Sequence, residues 1–161
     1  MDLERILRRL ENSEVEFVII GGVAAVAHGS ARATFDIDLC YRRTPENLAR
    51  LVDALAPLHP RLRDVPEGLP FRWDARTLER GLNFTLQTDA GAVDLLGEVA
   101  GLGSYEQVLV ASEEMELYGM AVHVLTLESL IAAKRAAGRP RDLEHLLELE
   151  ALLELRRQER G

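Results

Sequence analysis

The chain has 161 residues, of which 47% are apolar and 29% charged, a composition suited to one globular domain with a sizeable core. A net charge of −8 argues against a protein that coats nucleic acid non-specifically, and the lone Cys40 excludes an internal disulfide framework. No apolar run is long enough to span a membrane, and the charged N-terminal stretch "MDLERILRRLENSEVEF" has no signal-peptide pattern, so the reducing cytoplasm is the expected compartment.

Residues 2–13 carry Leu3, Ile6, Leu7 and Leu10 at helical spacing and predict an amphipathic helix. "VEFVIIGG" is a β-branched and aromatic run that reads as a buried strand ending in glycine, and "VAAVAHG" follows as a short helix of small residues. In "ATFDIDLCY" the side chains alternate, Phe35, Ile37 and Leu39 to one side and Asp36, Asp38 and Cys40 to the other. "TPENLARLVDALAPL" opens with Thr44 as N-cap and a proline at the first helical position. Residues 59–80, rich in Pro and Arg, predict a long loop with a helical turn. "LNFTLQTDAGAVDLL" predicts two strands joined by a tight turn at "TDAG", and "QVLVAS" and "MAVHVL" predict two more. Thr126 opens a helix that Gly138 closes, and "RPRDLEHLLELEALLELRRQ" is a final leucine-rich helix. The expected fold class is α+β, a mixed β-sheet flanked by helices, with a core over 15–125 and a C-terminal helical segment over 126–161.

Asp36 and Asp38 leave one face of their strand with Cα atoms about 6.5–7 Å apart, and two carboxylates so placed repel unless a cation sits between them. Hard divalent ions with oxygen ligands fit such a pair, Mg²⁺ above all, although an exposed strand face carries the same pattern. The turn "IIGG" presents backbone amides near Gly21, Gly22 and Val23 that could face an anion; it equally suits a tight turn with close helix packing. Together, a phosphate turn and a cation pair meet the two needs of a nucleoside triphosphate. Asp94, in the apolar stretch "GAVDLLG", would complete a three-carboxylate set for two-metal phosphoryl or nucleotidyl transfer if its strand lies beside that of Asp36. It would then hold a metal or accept a proton. Lys134 is the only lysine; the other 18 of 19 basic residues are arginine, so a role that arginine cannot fill falls to Lys134, with a solvated helix face as the plain alternative.

His28 and His123 read as packing residues, Cys40 as a small buried residue, and Trp73, with Arg72 and Arg76, as a loop anchor or a stacking platform. His59 and His145 carry no signal, and Ser30 belongs to no nucleophile-elbow pattern.

A glycine pair at a strand end, thirteen residues, Asp-x-Asp and a later strand aspartate resemble the nucleotidyltransferase superfamily of DNA polymerase beta, in particular its small AbiEii-type toxin-like members. "GGVAAVAHGSARATFDIDL" is similar to their first motif, with Arg32 and Thr34 ahead of the acids. "GLNFTLQTDAGAVDLLGEV" is similar to the strand pair with their third acid, and "LTLESLIAAKRAAGRPRDLEHL" to their Lys-then-Asp segment. The resemblance implies a polymerase-beta-like fold, and Asp36, Asp38 and Asp94 as metal ligands and catalytic acids for Mg²⁺, or Mn²⁺ in its place. It also implies Gly21, Gly22, Arg32 and Lys134 as nucleotide-binding residues, Lys134 opposing phosphate charge, and Asp142 as a late catalytic acid of open role. The reaction implied moves an NMP from an NTP to a hydroxyl of RNA (a tRNA end) or of a protein, and a cognate antitoxin is the implied partner. At Gly22 the chain departs from the pattern, since many members carry a serine there whose hydroxyl bonds a phosphate. Two further functions remain open on the residues: a nucleotide-binding regulatory module with little catalysis, and a two-metal phosphodiesterase, which the lack of histidines near the acids disfavours.

Overall fold

The computed structural model describes residues 1–66 and 68–161. Helix α1 (Leu3–Asn12) is capped by Asp2 and buries Ile6, Leu7 and Leu10, the stripe its spacing predicts. Strand β1 (Phe17–Ile20) is buried throughout and runs directly into α2 (Gly21–Ala27). Strand β2 (Asp36–Tyr41) buries Ile37, Leu39, Cys40 and Tyr41 completely while Asp36 and Asp38 stay half-buried on its other face. Helix α3 (Pro45–Leu55) starts at Thr44, whose hydroxyl accepts from the Asn47 amide.

Asn47 itself is fully buried. Its Oδ1 accepts from the Glu16 amide at 2.7 Å, and its Nδ2 donates to the Glu16 and Arg42 carbonyls at 3.0 and 2.8 Å. One side chain therefore ties the start of β1 to the end of β2. Asn47→Leu is expected to remove the side-chain partners of the Glu16 amide and the Arg42 carbonyl and to cost about 3 kcal/mol in urea unfolding.

The arginine-rich segment contains the expected helical turn, α4 (Ala75–Arg80), and also a short edge strand, β3 (Arg61–Leu62), that its composition does not announce. Trp73 is an anchor: it packs against the core and its Nε1 donates to the Val52 carbonyl at 3.0 Å. Strands β4 (Phe84–Thr88) and β5 (Gly91–Leu96) form the predicted hairpin, followed by a small ladder of β6 (Glu98–Val99) and β7 (Gly103–Ser104).

"QVLVAS", expected as a strand, is instead the body of helix α5 (Tyr105–Val110). Gln107 reaches back to accept from the Ser104 amide at 3.0 Å, half of a capping box that starts a helix there. A strand would place Val108 and Val110 on one face, whereas Val108 is fully buried and Val110 is 87% exposed, the outcome of a helical period. The strand lies just beyond, as β8 (Ser112–Leu117), an outer strand with Glu113, Glu114 and Glu116 exposed, charges that discourage edge-to-edge pairing. It pairs with β9 (Met120–Leu125), where His123 is exposed on the sheet rather than packed. Helix α6 (Leu127–Ala137) runs from Thr126 to Gly138, which takes φ +63°, and α7 (Leu143–Arg160) packs against it.

The main sheet has the order β3-β4-β5-β2-β1-β9-β8. It is mixed: β2 runs parallel to β5, and β1 parallel to β9, while the other pairs are antiparallel. This is the α+β architecture with a helix-flanked mixed sheet. Among the described residues no helix is long and apolar enough to cross a membrane.

Candidate active site

Register builds the site. On β2, Asp38 lies opposite Ile20 of the antiparallel β1 and opposite Asp94 of the parallel β5. Asp38 and Asp94 are thus neighbours on one sheet face, and Asp36, two residues upstream of Asp38, shares that face. Carboxylate oxygens of Asp36, Asp38 and Asp94 all lie within 4.8 Å of one another. No other group of three or more such ligands meets this test among the described residues.

The electrostatics of this cluster are unfavourable by themselves. Burial, then the charges of Asp36 and Asp94, push the Asp38 carboxyl up to about 7, with the Gly22 amide pulling the other way. Burial and then the charge of Asp94 raise Asp36 as well. An all-oxygen donor set whose members resist ionising together is what a hard divalent cation relieves, so the residues present fit such an ion.

Gly21 takes φ +65°, and a Cβ there would lie 2.1 Å from Oδ2 of Asp38. Glycine is required for both reasons: the left-handed backbone and the close approach of the carboxylate. Gly22 is answered by Thr34. A Cβ at Gly22 would sit 2.8 Å from Oγ1 of Thr34, whose hydroxyl donates to the Asp36 carbonyl at 3.0 Å. The space a serine would need at position 22 is taken by the threonine that braces the acid-bearing strand.

A cleft of about 430 Å³ opens beside the acids. Gly21, Asp38 and Asp94 line it together with Lys134 and Arg139, and Leu96, Val99, Leu125 and Leu130 give it an apolar wall. Helix α6 carries Lys134 into this cleft, and Asp142 holds it there: its Oδ1 lies 3.6 Å from Lys134 Nζ, while Arg139 Nε donates to its Oδ2 at 2.7 Å. Burial works to raise Asp142, but the Lys134 charge, then Arg139 and Arg141, outweigh it and keep the carboxylate below its ordinary range. Arg32 takes another direction, its Nη2 3.4 Å from Glu144 at the start of α7, and does not line the cleft.

Three residues of the site have no signature in the sequence. Arg63, in a loop, donates to Asp94 Oδ1 at 2.8 Å across 31 residues of chain, while Arg139, in a loop, and Glu98, in a two-residue strand, line the cleft. His145 is buried, and burial, then the charges of Lys134 and Arg32, hold its imidazole below the usual range. His28 is a packing residue, as its position predicts: its Nε2 contacts the Leu125 carbonyl at 2.8 Å and Arg156 lies against Nδ1 at 3.0 Å.

Comparison with protein-family models and with curated protein sequences yields no match. Solved structures do match. A Thermotoga maritima protein assigned as a nucleotidyltransferase superposes with a TM-score of 0.58 at 19% identity, over 91% of this chain and 88% of that one. ANT(2")-Ia in complex with adenylyl-2"-tobramycin superposes with a TM-score of 0.55 at 16% identity, over 99% and 97% of the two chains. The solution structure of the antibiotic-resistance factor ANT(2'')-Ia gives 0.51 at 16% identity, over 98% and 95%. At such identities the likeness shows the fold, and the fold is that of nucleotidyltransferases.

Proposed function

We propose that this chain, as one domain over residues 1–161 with its core over 15–125 and a helical segment over 126–161, is a divalent-metal-dependent nucleotidyltransferase of the cytoplasm. The observation that carries the proposal is the convergence of Asp36, Asp38 and Asp94, two of which, Asp38 and Asp94, line a cleft that also receives the only lysine of the chain. The nucleotidyltransferase fold and the adenylyl adduct of one structural neighbour agree with it.

In this reading Asp36, Asp38 and Asp94 hold Mg²⁺, with Mn²⁺ able to replace it. When bound, such an ion supplies charge neutralisation for the phosphates and acidifies the attacking hydroxyl. Lys134 and Arg139 line the cleft with Asp38 and Asp94 and bind the triphosphate, with Asp142 as the positioning residue that aims both. The apolar wall at Leu96, Val99 and Leu130 receives the base. Gly21 lets the backbone approach the phosphates, and the Gly22 amide braces Asp38. Arg32 stands outside the cleft, paired with Glu144, and contacts the nucleotide only by leaving that partner. The acceptor oxygen bonds to the α-phosphorus, the bond to the β-bridging oxygen breaks, and pyrophosphate leaves. Arg63 holds Oδ1 of Asp94 and leaves Oδ2 for the ion, and the acceptor's proton leaves to bulk water. Catalysis here is mostly positioning and charge neutralisation.

Acceptors of three kinds suit this chemistry: an RNA end such as that of tRNA, a protein side chain, and a small polyhydroxy molecule of the kind seen in the tobramycin adduct. A toxin-like role of the AbiEii type, with a cognate antitoxin, rests on the motif resemblance. Gly22, which offers no hydroxyl, favours as second reading a nucleotide-binding module with little turnover. The test is incubation with each α-labelled NTP and Mg²⁺ or Mn²⁺, in the presence of bulk tRNA, total cell protein or aminoglycosides. Label transfer is expected for one acceptor class and should vanish in an Asp36→Ala, Asp38→Ala double variant. Nucleotide binding without transfer to any acceptor decides for the binding module.

A further inference from the structure

Arg63 follows β3, and its amide donates to the Thr85 carbonyl at 2.9 Å, extending the β3–β4 ladder by one residue. Thr85 faces Asp94 across β4–β5, and Asp94 faces Asp38 across β5–β2. Arg63, Thr85, Asp94 and Asp38 therefore form one row across four strands, with side chains on a common face. The guanidinium is fixed at two points: Nη1 donates to the Leu86 carbonyl at 2.9 Å and Nη2 to Asp94 Oδ1 at 2.8 Å. Only 24% of the arginine side chain and 21% of the Asp94 side chain are exposed, so solvent screens this pair little. Nε lies 3.7 Å from Asp64, a partner that is 86% exposed and adds little.

A guanidinium does not deprotonate in a protein, so Arg63 is a permanent cation at the edge of the acid cluster. Three ionised carboxylates carry −3; with Arg63 the set carries −2, the charge that one divalent ion cancels. Arg63 also occupies one oxygen of Asp94, leaving the other for an ion held with Asp36 and Asp38. A strap that served only to pin the edge strand would need the Leu86 contact but not the Asp94 one.

We propose that Arg63 is the internal counter-cation of the acid cluster and the positioning residue for Asp94. It holds Asp94 by Oδ1 in the metal-free protein, and its charge opposes a divalent ion at the other oxygen, so that affinity for the ion stays low until a triphosphate brings negative charge of its own. This rests on the reading of the three acids as a cation site, and does not require that nucleotidyl transfer be observed.

The test is Mn²⁺ binding without nucleotide, followed by the paramagnetic resonance signal of free Mn²⁺, on the wild type, Arg63→Gln and Arg63→Lys, with melting curves for each. Arg63→Gln is expected to bind Mn²⁺ about tenfold more tightly, equivalent to about 1.4 kcal/mol. Arg63→Lys, which keeps the charge but loses the two-point fork, should fall between the wild type and Arg63→Gln. Unchanged or weaker binding by a folded Arg63→Gln overturns the proposal and makes Arg63 a structural strap. A second measurement needs no variant: the Arg63 side-chain nitrogen resonances of the wild type should shift on saturation with Mg²⁺, and resonances that do not move overturn the proposal equally. Mn²⁺ bound by none of the three proteins overturns the cation-site reading itself, an outcome separate from the failure of Arg63 alone.

Discussion

Asp38→Asn is expected to abolish nucleotidyl transfer while making the metal-free protein more stable at neutral pH. Both effects come from one environment. Burial, Asp36 and Asp94 push the Asp38 carboxyl up to about 7, from an ordinary value of 3.8. The folded chain therefore holds this proton more tightly than the unfolded chain does. As pH rises from about 4 to about 7 the unfolded state loses its proton first, and the contribution of Asp38 to stability falls across that window and stays low above it. Asparagine carries no charge at any pH and escapes the penalty. In chelator at pH 8 the gain should be about 2 kcal/mol, or roughly 4–8 °C in Tm for a chain of this size. At pH 4 the two proteins should melt within a degree or two of each other. Mg²⁺ should restore the wild type toward the variant and leave the variant unmoved, while transfer by the variant falls about a thousandfold or more. A variant less stable than the wild type at pH 8 would show that the three acids do not repel one another as their spacing requires.

The second large effect is at Gly21. Alanine there places a methyl group 2.1 Å from Asp38 Oδ2 on a backbone at φ +65°. Left-handed strain costs about 1–2 kcal/mol and the forced shift of a packed carboxylate a similar amount, so Gly21→Ala should lose about 2–4 kcal/mol in urea unfolding. Because the atom that must yield is a proposed cation ligand, transfer should also fall about a hundredfold, the cost of misplacing a reacting group by about an ångström. Gly119 supplies the control. It has φ +78°, and a Cβ there would meet nothing within 4 Å, so Gly119→Ala should show the backbone cost alone, with transfer unchanged. Equal losses of activity in the two variants would sink the close-approach argument.

Much of the fold is legible in the sequence because its signals are local. Thr44 caps the helix that its chemistry predicts, and Thr126 and Gly138 bracket α6. The alternation in "FDIDLC" separates Ile37 and Leu39 from Asp36 and Asp38. The one element read wrongly, α5, is also a local matter: β-branched residues in "QVLV" suggest a strand, but the cap between Ser104 and Gln107 lies at the edge of the segment and decides for a helix. His123, in the same apolar run as β9, lies on an exposed side that alternation alone cannot distinguish from a packed one.

The candidate site divides along the same line. Asp36, Asp38, Asp94, Lys134 and the glycine pair stand out in the sequence by residue type and setting. What brings Asp94 level with Asp38 is the parallel register of β2 and β5, strands far apart along the chain. The β3–β4 and β4–β5 registers place Arg63 in that row, although nothing in "RLRD" distinguishes it from Arg61, which reaches toward Asp89 instead. Thr34 facing Gly22, and Asp142 joining Lys134 to Arg139, likewise exist only after the chain has folded. By itself the sequence determined which residue types were available and, where caps, glycines and hydrophobic period are strong, as at α1, β2, α3 and α6, which face they occupy and where those elements lie, because these signals act over a few residues. Only the tertiary structure decided which carboxylates share a cation and which guanidinium opposes it, because strand register is set by contacts between residues far apart in the chain.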